Sequence, residues 1–146
     1  ALEAALDAGA TFVVLPTLVE EVVSICVERG VPVFPGALTP TEVYAAWRAG
    51  AAMVKVFPAK VFGAEYFKQL KDPLGELSLL ACGGVSAETL EAYARAGADA
   101  FAFGASVFRA DWIASRDYVR LTDAIRQLIA AYNKVSCARG EAVGGR

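Results

Sequence analysis

The stretch Ala49-Gly50-Ala51-Ala52-Met53-Val54-Lys55-Val56-Phe57-Pro58 sets a glycine just ahead of a short apolar run and closes the run on a proline. The arrangement recurs. Ala8-Gly9-Ala10 precedes Thr11-Phe12-Val13-Val14-Leu15, Arg29-Gly30 precedes Val31-Pro32-Val33-Phe34, and Ala96-Gly97-Ala98 precedes Ala100-Phe101-Ala102-Phe103. A further run, Leu77-Ser78-Leu79-Leu80-Ala81, lacks the lead-in but ends in Cys82-Gly83-Gly84. Each leading glycine suits the left-handed position that closes a helix, where a Cβ would clash. The runs are almost continuously hydrophobic, the mark of parallel strands covered by helices on both faces. Their spacing leaves room for one short helix in each crossover.

The intervening segments carry helix-start signals. Thr17 with Glu20 reads as a capping box opening a helix that runs to about Glu28. Thr39, Pro40 and Glu42 make a stronger version, a cap, a proline at the first helical position and an acid that reaches back, and that helix passes Tyr44 and Trp47 to Gly50. Ala64 to Lys71 is predicted helical, stopped by Asp72-Pro73, and Ser86 is placed to cap the segment ending at Gly97. Ser115 or Asp117 opens the longest helix, with Leu121, Ile125, Leu128, Ile129 and Tyr132 on one stripe. Residues 136–146 show no period and read as a frayed tail, leaving 1–135 as one folded unit.

A chain of 146 residues, 56% apolar and 21% charged, supports one domain with a continuous core. Fourteen basic against sixteen acidic side chains give a formal charge of -2, so composition points to neither a nucleic-acid nor a membrane partner. Histidine is absent, which removes histidine triads, proton relays and histidine metal sites. Cys26, Cys82 and Cys137 form no zinc spacing and no disulfide framework, and fit a reducing, cytoplasmic setting. No targeting segment or membrane span is visible. The first residue is not methionine, and the chain is expected to be incomplete. Two architectures stay open for five parallel strands: a doubly wound sheet, which the length favours, and an arc of a (β/α)8 barrel, which the chemistry at the strand ends favours.

Lys55 is the outstanding residue. Strand parity puts Met53, Lys55 and Phe57 on one face and Val54 and Val56 on the other. A buried ammonium without partners is costly, so it tends to lose its proton or find an anion, and a desolvated amine is a good nucleophile for a ketone. An iminium formed with a 2-keto acid then draws electrons from the neighbouring C–C bond. The competing reading is an edge-strand lysine whose stem is buried and whose ammonium reaches solvent. Phe57 shares the lysine's face as a possible apolar wall, and Pro58 ends the ladder. Leu15-Pro16 and Phe34-Pro35-Gly36 end their strands in the same sense, on one rim.

Two glycine turns follow later strands. In Cys82-Gly83-Gly84-Val85-Ser86 the glycines let backbone N–H groups approach an anion, and a following helix N-terminus would add its dipole. Gly104-Ala105-Ser106 repeats the arrangement, with a hydroxyl donor that an N-cap role would equally explain. Barrels often hold phosphate on the loops after their last two strands. Without a histidine partner, Cys82 reads as a small lining residue rather than a nucleophile.

These stretches, in order, resemble the 2-keto-3-deoxy-6-phosphogluconate and 4-hydroxy-2-oxoglutarate aldolase family, including its 2-keto-3-deoxy-6-phosphogalactonate branch. The resemblance rests on Leu15-Pro16, Pro35-Gly36 with Thr39 and Glu42, Val54-Lys55-Val56-Phe57-Pro58-Ala59, Phe62-Gly63 with Tyr66 and Lys68, Gly83-Gly84-Val85 and Gly104-Ala105-Ser106. It implies an α/β fold of the (β/α)8 TIM-barrel kind, here strands four to eight with their helices. It also implies a class I aldolase that cleaves a 2-keto-3-deoxy-6-phosphosugar acid to pyruvate and glyceraldehyde 3-phosphate, with no metal or other cofactor, assembled as a homotrimer. On that likeness Lys55 is the Schiff-base lysine and Phe57 the wall of the pyruvate pocket. Gly83, Gly84, Gly104 and Ser106 hold the phosphate end, and Pro16 and Cys82 line the site. Cys82 departs from the usual threonine, Ala105 from a frequent glycine, and Lys60 from an acid or small residue. Family members carry three more strands ahead of this segment, with a catalytic glutamate and an arginine that have no counterpart in this sequence. The alternatives are cleavage of 4-hydroxy-2-oxoglutarate to pyruvate and glyoxylate, and a non-catalytic phosphate-binding α/β domain.

Overall fold

The computed structural model describes residues 1–140. Its strands are β1 (Val13–Val14), β2 (Val33–Phe34), β3 (Gly36–Ala37), β4 (Val54–Val56), β5 (Leu79–Cys82) and β6 (Ala100–Ala102), and every pairing among them is parallel. The helices are α1 (Leu2–Asp7), α2 (Glu20–Glu28), α3 (Pro40–Arg48), α4 (Glu65–Lys71), α5 (Leu90–Arg95), α6 (Ala110–Ala114) and α7 (Tyr118–Arg139), with a 3-10 turn at Ala59–Val61 after β4. The glycines that open the runs, Gly9, Gly30, Gly50 and Gly97, all have positive φ, as the helix-closing role requires.

Pro35 was expected to end its strand, and it does not. Pairing resumes at Gly36, and the expected second strand becomes β2 and β3 on either side of the proline. The reason lies in which backbone group each neighbour uses. Val13 and Leu15 donate to the carbonyls of Pro32 and Phe34, while Ala52, Lys55 and Phe57 donate to those of Val33, Pro35 and Ala37. The Pro35 carbonyl therefore still holds β4 through Lys55 N, and pairing continues although the proline nitrogen offers no donor of its own. The two sheets, β1-β2 and β3-β4-β5-β6, thus join at Pro35 into one array whose order follows the sequence. A doubly wound sheet reverses its order at a switch point. This array has no reversal and matches an arc of a barrel.

Side-chain alternation divides the sheet's faces. Val54, Val56, Leu79 and Ala81 pack with Val43, Phe67, Leu70, Leu90 and Tyr93 in the main core, and Phe67 meets Tyr93 edge-on at 5.3 Å. Lys55, between Val54 and Val56, lies on the opposite face, as strand parity predicts. A smaller core of Val23, Cys26 and Val33 sits under α2. At the N-terminal end of the sheet the Asp99 carboxylate accepts from Leu79 N and from Lys71 Nζ, both at 2.8 Å, and Lys71 also donates to the Leu77 carbonyl.

Two helix starts differ from expectation. The Thr17–Glu20 capping box does not form: α2 begins at Glu20 with Val19 as its cap. Pro16 and Thr17 are instead laid against Gly36, where a Cβ would come within 2.0 Å of the Pro16 carbonyl oxygen. Ser86 does not cap α5, which starts at Leu90 after an intervening turn, and Thr89 Oγ1 accepts from Ser86 N at 2.9 Å. Asp117 caps α7, accepting from Arg120 N. That helix runs past the expected limit to Arg139, with Ser136 2% exposed and Gly140 left-handed at its end, so the tail assigned from residue 136 is helical to 139. Residues 141–146 of that expected tail lie outside the described residues. Among the described residues no helix is long and apolar enough to cross a membrane.

Candidate active site

Lys55 is 6% exposed. Its backbone N–H is fixed by Pro35 O at 2.9 Å, and its register partners are Gly36 on β3 and Leu80 on β5. The ammonium makes no hydrogen bond and no ion pair among the described residues. Its contact is the face of Phe57, 4.9 Å from the ring centroid, a cation–π arrangement. No buried side-chain nitrogen or oxygen lacks a partner among the described residues, so this unpartnered nitrogen keeps some access to solvent. The edge-strand reading of Lys55 fails, because β4 has β3 on one side and β5 on the other.

Phe57 continues from the lysine to the first glycine turn. A Cβ on Gly83 would lie 3.1 Å from two ring carbons of Phe57 and 3.1 Å from Pro58 Cα. Gly83 and Gly84 both have positive φ, +88 and +84, which a side chain would strain. The pair is therefore required on two counts, conformation and close approach. Cys82, half-buried, ends β5 opposite Ala102. On the other side, Pro16 closes over Gly36, the register partner of Lys55. The structure thus brings together Pro16, Lys55, Phe57, Cys82, Gly83 and Gly84.

It does not draw the second turn into the same contacts. Gly104 O accepts from Val107 N and Phe108 N, both at 2.9 Å, and Ser106 lines a cleft of about 70 Å³ with Ser86, Glu88 and Gln127. α6 starts only at Ala110, capped by Arg109, so Ser106 is not its N-cap. The helix dipole expected behind each glycine turn is also displaced, since α5 begins at Leu90 and α6 at Ala110. Glu88 in this cleft is a poor neighbour for phosphate, its carboxyl held below the usual range by the Ser86 hydroxyl.

Glu42 is held in the α3 cap through one carboxylate oxygen. Its Oε2 accepts from Thr39 N at 2.7 Å, Leu38 N at 2.9 Å and the Thr39 hydroxyl at 2.9 Å, while Thr39 Oγ1 accepts from Glu42 N, completing the predicted capping box. The Thr39 and Leu38 amides hold its pKa down, which makes it a weak proton acceptor. Tyr66 ties the same loop to α4 by donating to Leu38 O at 2.6 Å, and burial pushes its phenol up, aided by the Glu42 charge. Neither the Tyr66–Leu38 bond nor the Pro16–Gly36 closure has a signature in linear periodicity. Both join loops from different strands.

An apolar groove of about 530 Å³ lies away from Lys55, between β6 and α7, walled by Phe101, Phe103, Phe108, Ile125, Ile129 and Tyr132. It flanks the edge of β6, and the apolar stripe of α7 is partly open there, with Ile129 54% exposed.

Comparison with known proteins places these features. Residues 1–124 match the family model described as KDPG and KHG aldolase. The 2-dehydro-3-deoxy-6-phosphogalactonate aldolase of Escherichia coli (strain K12) is 37% identical over 103 residues, covering 70% of this chain and 50% of that protein. Among solved structures, one described as native KDPGal superposes with a TM-score of 0.84 at 31% identity, over 92% of this chain and 64% of that one. A 4-hydroxy-2-oxoglutarate aldolase/2-deydro-3-deoxyphosphogluconate aldolase from TTHB1 gives a TM-score of 0.68 at 39% identity, over 87% of this chain and 63% of that one. The chain spans about half the length of the Escherichia coli protein and less than two-thirds of either solved chain. The sequential parallel array is the TIM-barrel-like fold of these structures.

Proposed function

The chain belongs to the KDPG and KHG aldolase family, and from that membership we propose that Lys55 is the Schiff-base lysine of a class I aldolase acting on 2-keto-3-deoxy-6-phosphosugar acids. One observation carries the reading: a nearly buried amine with no acid beside it, on the sheet face away from the helices, against an aromatic ring that touches a glycine turn. The amine adds to the C2 carbonyl to give a carbinolamine, which loses water to form an iminium. A base takes the C4 hydroxyl proton, the C3–C4 bond breaks, and its electron pair moves onto the iminium to give an enamine and glyceraldehyde 3-phosphate. Protonation at C3 and hydrolysis release pyruvate and restore the lysine. The iminium supplies the electron sink, so the scheme needs neither metal nor cofactor. Glu42 is a poor candidate for the base, since the Thr39 and Leu38 amides hold its Oε2 in the capping box and its pKa down.

Phe57 and Pro16 bound the pyruvate end, Cys82 lines it, and Gly83 and Gly84 face the phosphate end, while Gly104 and Ser106 stand outside these contacts. The whole protein is read as a cytoplasmic homotrimer, and sedimentation checks its assembly. Borohydride reduction in the presence of pyruvate is the direct test. The intact protein should gain a stable adduct on the peptide bearing Lys55, and Lys55→Met should lose both the adduct and turnover while keeping its circular dichroism. A folded protein that gains no adduct refutes the reading. Cleavage of 4-hydroxy-2-oxoglutarate is the second reading, favoured by the TTHB1 enzyme, whose name carries both activities.

A further inference from the structure

We propose that Lys60 is a substrate-binding residue that sets the preference for a phosphorylated over an unphosphorylated keto acid, an inference that rests on the aldolase reading above. Lys60 stands in the 3-10 turn after β4, five positions beyond the proposed nucleophile. Two contacts fix it to the first glycine turn. Its backbone N–H donates to Gly83 O at 3.0 Å, and its stem lies across Gly84, where a Cβ would come within 2.6 Å of Lys60 Cβ, 2.7 Å of Cδ and 3.0 Å of Cγ. The bare glycine is thus what admits this side chain.

Its charge is uncommitted. Arg29, Lys68, Lys71, Arg95, Arg109, Arg120, Arg126 and Lys134 each pair with a carboxylate. Lys60 has no such partner among the described residues and is exposed at the rim. It and Lys55 are two unpaired cations of one strand–turn segment, separated by the Phe57–Gly83 contact. The arrangement suits a substrate with a carbonyl at one end and a dianion at the other. An ammonium beside paired glycines offers a charge-assisted donor where the backbone is bare, and a dianionic phosphate gains more from it than a neutral hydroxymethyl end does.

The test compares the phosphorylated keto acid with its unphosphorylated counterpart in the full-length protein. Lys60→Met keeps an unbranched stem over Gly84 and removes the charge, whereas Lys60→Arg keeps the charge. In Lys60→Met the ratio of kcat/KM between the two substrates should fall by roughly ten-fold or more, mainly through KM for the phosphorylated one. Lys60→Arg should restore most of it, and competitive inhibition by inorganic phosphate should weaken in parallel. An unchanged ratio, or an equal loss on both substrates, overturns the inference. Pyruvate trapping in the unaltered protein separates the two failures. If no adduct forms, the aldolase reading falls, and binding of inorganic phosphate by calorimetry still decides Lys60: loss in Lys60→Met supports the cation site, and no difference overturns it.

Discussion

Strands β4 and β6 belong to the same parallel array, yet all three residues of β4 are buried and all three of β6 are half-buried. β4 has a paired neighbour on each side and α3 and α4 over its apolar face; β6 has one neighbour, with the apolar groove against α7 along its flank. β1, at the other end, likewise pairs on one side only, with Phe12 and Val14 exposed. The contrast shows where this molecule spends its hydrophobic surface. The centre is saturated, and the ends carry apolar side chains that the described chain covers only in part. The proposed nucleophile sits in the saturated part.

Paired truncations give the sharpest break of that comparison. Phe67→Ala, in the centre, should cost about 3–5 kcal/mol in unfolding free energy, because it empties a sealed site against Tyr93. Ile129→Ala, at the half-open flank, should cost about 1 kcal/mol or less, since little contact is lost where solvent already reaches. Equal losses by urea titration would show that the flank is as well packed as the centre.

Asp99 tests the base of the sheet. Asp99→Ala removes the acceptor of Leu79 N together with the Lys71 ion pair and should cost about 1–3 kcal/mol. The ion pair is the lesser part, since both side chains are partly solvated and screened. Asp99→Asn should recover much of the loss, because it keeps an acceptor for Leu79. A full loss in Asp99→Asn would make charge the dominant contribution.

Glu42 gives the smallest effect and a pH signature. Its folded pKa is depressed by the Thr39 and Leu38 amides, so its contribution is present above the unfolded value of about 4.3 and is lost as pH falls through the folded value. Glu42→Gln should lower stability by about 1 kcal/mol at neutral pH and flatten the acid side of the Tm–pH curve. A variant that keeps the full acid slope would assign that slope to other carboxylates.

Much of this was legible in the residues. The apolar runs located every strand but β3, the parity of Val54-Lys55-Val56 gave the lysine its face, and Thr39-Pro40-x-Glu42 gave α3 its start. Each is a local signal, settled by neighbours a few positions away. The failures were contests between local chemistry and tertiary contact. Thr17 gave up its cap because its backbone was needed against Gly36, and Pro35 continued a strand because its carbonyl still accepts from Lys55. Ser86 was outcompeted by a turn closed through Thr89. At the site, Lys55 and the glycine pair could be read from chain order, but the stem of Lys60 on Gly84 could not. The α7 stripe was a correct pattern with an incomplete partner, since periodicity reports an apolar face and is silent on what covers it.

The joint at Pro35 has a consequence for motion. The two-stranded and four-stranded pieces share one proline-bearing strand, so each can serve as its own cooperative opening unit. Amide exchange should then be quicker at Val13 and Leu15 than at Val54 and Lys55. The amine would stay seated while the smaller piece breathes.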